Sequence, residues 1–187
     1  HKISLYLHSL NPNNRRHILN GGFYFPLKKG KGDLFNITEQ ELTQIINDLT
    51  PQEKEVADII FQYFNNSEYK TQINDKFVEL NGYEVLMEEN YFPIKTSRVV
   101  DPQTGLEMDY LEYMDKLKNV TSYDPSMRSY NEALINAIGV FKKRVGASNP
   151  ILLYDAFSEF FKWTTDVANW YGMSEPIGTA KSLLNDK

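Results

Sequence analysis

Residues 38–64 read TEQELTQIINDLTPQEKEVADIIFQYF, and this stretch decides the fold class. It writes one helix-start device twice: Thr38 stands three residues before Glu41, and Thr50 three before Glu53. A threonine hydroxyl at a helix N-cap accepts from the third backbone amide, and the glutamate reaches back to the cap amide. Pro51 falls at the first helical position, where a missing N–H leaves nothing unsatisfied. Leu42, Ile45 and Ile46 give the first helix, about 39–48, its apolar side. Val56, Ile59, Ile60 and Phe64 do the same for the second, about 51–64. Two capped amphipathic helices in tandem predict a chain built mainly of helices.

Working toward the N-terminus, Ile3, Tyr6, Leu7 and Leu10 mark one helical face, and NPNN at 11–14 ends or interrupts it. The glycine-rich stretch 20–33, NGGFYFPLKKGKGD, predicts a loop with a short extended centre over 23–27. Toward the C-terminus, NNS at 65–67 frays the second capped helix. The helical pattern then resumes through Phe77 and Leu80 and ends at Asn81-Gly82, residues that tolerate positive φ. Residues 83–100 are β-prone, and Phe92, which precedes a proline, is expected to be extended. Helices are expected over about 106–118 and 131–145, with the turn TSYDPS between them.

The strongest helical signal starts at Pro150. Leu153, Phe157, Phe160, Thr164, Val167 and Tyr171 share one face, widened by Leu152, Ala156, Trp163 and Trp170. So wide an aromatic face predicts packing on both sides, or packing on a partner as well as on the core. Phe157, Phe160, Trp163, Trp170 and Tyr171 are the expected partner-binding residues. Ser174 is placed to cap a last helix over 175–185, with Ile177, Ala180, Leu183 and Leu184 inward.

The predicted fold is therefore mainly α: an irregular bundle of six or seven helices with two short extended segments. Residues 1–104 form an N-terminal helical part with the glycine-rich loop and the straps, and 105–187 an aromatic-rich C-terminal part. The division falls near 101–105 or 119–128, unless the two are continuous. The two extended segments are nearly the same word: YFPLK at 24–28 and YFPIK at 91–95. Nothing else repeats at that spacing, so they read as straps closing over helices, with lysines reaching water and the straps themselves able to pair as strands.

Twelve Tyr and eleven Phe favour a core or interface of large rings. The net charge of −5 argues against a dedicated nucleic-acid binder. The absence of cysteine excludes disulfides and thiolate-bound zinc. No apolar run reaches membrane-spanning length. His1, His8 and His17 lack the i, i+4 spacing of a helical metal site and read as surface histidines. Glu88-Glu89, Glu53 with Glu55, and the stripe Asp109, Glu112, Asp115 read as solvated acids. GKGD at 30–33 lacks the phosphate-loop frame, and no nucleophile-elbow motif occurs. No cofactor is expected.

One resemblance extends this reading. LYLHSLNPNNRRH (5–17), the glycine-rich loop, ITEQELTQII (37–46) and YFPIK, then GASNPILLYDAFSEFFKWTTDVANWYGMSEPI (146–177), together resemble segments of very large multidomain proteins of tailed bacteriophages and mobile elements. These are called large polyvalent proteins. The resemblance carries pattern rather than catalytic residues. It implies a viral, virion-packaged or ejected protein, in the particle interior or in the host cytoplasm after genome ejection, in which this piece is a helical contact module. The start at His1 fits a processed product or part of a longer chain. Its expected partners are other virion proteins or other domains of the same chain. The alternative is an accessory domain or subunit of a virion-packaged nucleic-acid-processing enzyme such as an RNA polymerase. Lys28, Lys29, Lys31, Lys95 and Arg98 would then line a strand, with Tyr24 and Tyr91 as stacking platforms. A third reading, a helical lytic hydrolase, would rest on Glu88 and Glu89.

Overall fold

The computed structural model describes residues 1–27, 30–84, 87–100, 107–109 and 149–185. The chain is mainly helical, with a small three-stranded sheet. In chain order, helix α1 spans Lys2–Ser9 and α2 spans Pro12–Gly21, followed by strands β1 (Phe23–Leu27) and β2 (Gly30–Phe35). Helices α3 (Glu39–Asn47), α4 (Pro51–Asn65) and α5 (Ser67–Asn81) come next. Strands β3 (Arg98–Val100), β4 (Glu107–Asp109) and β5 (Ile151–Leu152) lead to the long helix α6, Ala156–Asn185. The expected total of six or seven helices runs across residues outside those described, as do both candidate division points, the turn TSYDPS and the helix over 131–145.

Both capping boxes form as the spacing predicts. Thr38 Oγ1 accepts from Glu41 N, and Glu41 Oε2 accepts from Thr38 N at 2.8 Å. Thr50 and Glu53 repeat this at the start of α4. The bond from the cap amide, then that from the hydroxyl, holds each carboxyl below its ordinary range. Asn66 closes α4 and caps α5 by accepting from Tyr69 N, so NNS is a clean break between two helices. Gly82 ends α5 at φ 77°, in the left-handed region. On α4, Ala57, Ile60 and Phe64 are buried while Ile59 is 61% exposed, a shift of the expected apolar face by a fraction of a turn.

The loop expected at 20–33 is a β-hairpin. β1 and β2 pair antiparallel, with Phe23 opposite Phe35 and an irregularity between Tyr24 and Pro26. Gly22 enters it at φ 72°, where a Cβ would stand 2.4 Å from the Phe35 carbonyl oxygen, so only glycine fits. Pro150 opens no helix. Ile151–Leu152 is instead a strand, parallel to β1, and α6 begins at Ala156 with Asp155 Oδ1 accepting from Ser158 N. Residues 107–109 are likewise a strand, paired with β3, where a helix was expected; the remainder of that segment, 110–118, lies outside the described residues.

Among the described residues the two straps do not pair with each other. β5 lies between them. Leu153 N donates to Tyr24 O at 2.8 Å on one side, and Leu152 N donates to Lys95 O at 2.7 Å on the other. The second strap is held chiefly by asparagines. Asn65 accepts from Tyr91 N at 2.7 Å and donates to Tyr91 O at 3.0 Å. Asn14 donates to Phe92 O at 3.0 Å, and Asn11 donates to the Glu89 and Asn90 carbonyls. Asn11 also caps α2, so NPNN both starts a helix and fastens the strap.

Residues from both sides of position 104 share one core. Leu7, Ile60, Phe64, Phe92, Trp163 and Trp170 belong to a single buried cluster. A second cluster, centred on Leu5, Ile18, Phe23, Leu42, Ile151 and Leu153, underlies the sheet. The ring-rich composition is spent here: Phe64 meets Trp163 edge-on at 4.9 Å and Phe92 at 5.5 Å.

Candidate interaction surface

Helix α6 advances about 100° per residue, so two faces can be read from its exposure. Ala156, Glu159, Trp163, Val167, Trp170 and Ser174 turn inward. Phe157, Phe161 and Tyr171 turn outward and are 49%, 65% and 48% exposed. Ala168 and Gly172 continue this outer stripe, and a Cβ on Gly172 would meet nothing within 4 Å. The five expected partner residues therefore separate. Phe157 and Tyr171 face solvent, Phe160 is half-buried, and Trp163 and Trp170 are core. Sequence reading missed Phe161, although it stands four residues after Phe157 and so shares its face. Pro176 does not begin a new helix but lies inside α6, and the Ser174 hydroxyl bonds the Tyr171 carbonyl instead of capping. Leu183, expected inward, is 67% exposed.

Beside α6, an open groove of about 480 Å³ runs between α4 and α5. Ile59, Gln62 and Tyr63 form its α4 side, and Glu68, Tyr69 and Gln72 its α5 side. Tyr63 and Tyr69 are 5.4 Å apart, and burial, then the hydrogen bond with Tyr63, pushes the Tyr69 hydroxyl up. Tyr63 lies 5.0 Å from Phe160, which lies 5.5 Å from Phe161, so aromatic surface connects groove and helix. A smaller groove of about 360 Å³ lies between the hairpin and α3, lined by Phe23, Phe35, Ile37 and Ile45 among others.

The strand-lining residues of the nucleic-acid reading are not gathered on one free surface among the described residues. Tyr91 is 6% exposed and packed edge-on against Phe64, which leaves no ring face for a base. Lys95 does not reach into water: Nζ bonds Glu159 Oε1 at 2.6 Å and lies 4.6 Å over the Tyr154 ring. Burial, and then the Glu159 charge, raises Tyr154. Tyr24 is half-buried in the sheet. Lys28 and Lys29 lie outside the described residues, as do the side chains of Lys31 and Arg98.

The acids of the hydrolase reading sit beside the start of α2. Glu88 Oε1 accepts from Asn13 Nδ2 at 2.7 Å, and Glu89 is exposed with its carbonyl bonded to Asn11. His8 and His17 are buried rather than superficial. His8 Nδ1 accepts from Asn14 Nδ2 at 3.2 Å, and His17 Nδ1 donates to the Asn149 carbonyl at 3.2 Å. Burial, then the nearby His17 and Lys95, lowers His8 to about 3, so its ring is neutral. Among the described residues no group of three His, Cys, Asp or Glu side chains is placed to hold a metal ion. No helix of the described residues is long and apolar enough to cross a membrane. Comparison with known proteins returns no match: no family model fits the sequence, and no curated protein or solved structure is similar to it.

Proposed function

We propose that this chain is a structural and interaction module of a large bacteriophage virion-associated protein, carried in the particle or ejected with the genome. It contacts other virion proteins, or other domains of its own long chain, through the outer face of α6. The observation that carries this reading is the exposed stripe of Phe157, Phe161 and Tyr171. Aromatic residues are enriched in protein interfaces, and a few anchors, Tyr among them, carry much of the binding energy there. The resemblance to large polyvalent proteins supplies the viral setting.

The test is made on particles. Mass spectrometry of purified virions is expected to find peptides of this chain. A photoreactive benzoylphenylalanine placed at position 161 is expected to cross-link to a different virion protein or to a distant domain. Absence of the chain from particles, or a cross-linker that captures only water, sinks the proposal.

A further inference from the structure

We propose that the groove between α4 and α5 receives a cationic amphipathic segment of a partner protein, a stretch carrying Lys or Arg beside aliphatic side chains. This goes beyond the outer face of α6, because α4 and α5 build the groove and α6 only borders it.

Charge is the first reason. Residues 51–90 hold nine Asp and Glu against three Lys, a net charge of −6, while the whole chain carries −5. Within this stretch α4 and α5 themselves (51–81) hold six of the acids and all three lysines, so the helical pair carries a net −3. Two of its three lysines are already engaged. Lys70 Nζ donates to Asn65 Oδ1 at 3.0 Å and to the Glu88 carbonyl at 3.1 Å. Lys76 Nζ pairs with Glu79 and Glu175. Around the groove the acids lie at helical spacing from its lining: Glu55 one turn before Ile59, and Asp75 two turns after Glu68.

Chemistry inside the groove is the second reason. Ile59 offers an exposed aliphatic surface in the middle of this acidic region. Tyr63 and Tyr69 offer ring surface, over which the methylene stem or the charged head of Lys or Arg is attracted. The exposed amides of Gln62 and Gln72 can donate to and accept from an incoming backbone. The space of about 480 Å³ lies within the range of ligand-binding clefts. An apolar floor beneath an acidic rim is complementary to a basic, partly apolar segment, and it repels an acidic one.

The test titrates a fluorescein-labelled amphipathic peptide of leucine and lysine with the 187-residue chain at low ionic strength, read by fluorescence anisotropy. Saturable binding is expected, weakened by added salt. Ile59→Ser and Glu68→Lys should each weaken it by about ten-fold or more. Both positions are exposed, so circular dichroism should show unchanged folding. A leucine–glutamate peptide should bind at least about ten-fold more weakly. No binding of the leucine–lysine peptide, equal affinity in both variants, or equal binding of the glutamate peptide overturns the proposal.

Discussion

Tyr24–Lys28 and Tyr91–Lys95 share four of five letters, yet the protein treats them as different materials. The first copy is a strand in a hairpin, and its exposure grows along it until Leu27 is 61% exposed. The second is no strand, yet Tyr91 and Phe92 are buried to 6% and 1%. The backbone of the first is satisfied by backbone, through β2 and β5. The backbone of the second is satisfied largely by the amide side chains of Asn65 and Asn14. A buried peptide group needs a partner, and an asparagine, with donor and acceptor on one small amide, can stand in for a neighbouring strand. Nearly identical local words thus take their structure from which partners the fold delivers.

Four substitutions sharpen this contrast, beginning with a matched pair. Phe92→Ala, at 1% exposure beside Phe64, should cost about 3–5 kcal/mol. Phe25→Ala, at the equivalent position of the half-buried first strap, should cost only about 1 kcal/mol. Equal midpoint shifts in urea would remove the distinction between a core strap and a surface hairpin.

Asn65→Ala removes both bonds to Tyr91 together with the bond from Lys70, and should cost about 2–3 kcal/mol. Amide exchange at Tyr91 should accelerate, with the β1 amides unaffected. If both straps lose protection together, they open as one unit.

Acid should attack the second strap first. His8 is neutral when folded and resists protonation down to about pH 3, whereas an unfolded histidine takes its proton near 6.5. The folded pKa is depressed, so this contribution is complete above about 6.5 and falls by about 1.4 kcal/mol per pH unit toward 3. The cause is geometric. Protonated Nδ1 would point a donor at the Asn14 amide, itself a donor, with His17 and Lys95 adding positive charge. His8→Gln should flatten the stability-versus-pH curve by about one proton over that window; an unchanged slope would mean that other groups govern the acid limb.

The helices between Thr38 and Gly82 were legible because their signals are local. Capping boxes and a left-handed glycine act within one turn, and the structure uses each where its spacing placed it; the stretch NNS, read as fraying, is instead an N-cap. The strand at Ile151–Leu152 was not legible, since its reason for being extended is β1, far away in sequence. The faces of α6 were half legible. Its length and apolar content showed a buried helix, but which arc of so many rings faced inward depended on α5 and the second strap.

His8 and His17 were misread for the same reason. Nothing local marks either histidine as buried, and only the arrival of Phe92 beside His8 and Asn149 beside His17 encloses them. By itself, then, the sequence determined the helical character, the capped starts of α3 and α4, the glycine end of α5, and the charge and ring content of the chain. The tertiary structure alone decided which copy of the repeated word became core, where the two straps meet β5, and which aromatics of α6 remain outside. Local hydrogen bonding fixes an element where the chain can satisfy itself within a turn. Where partners must come from a distance, packing chooses.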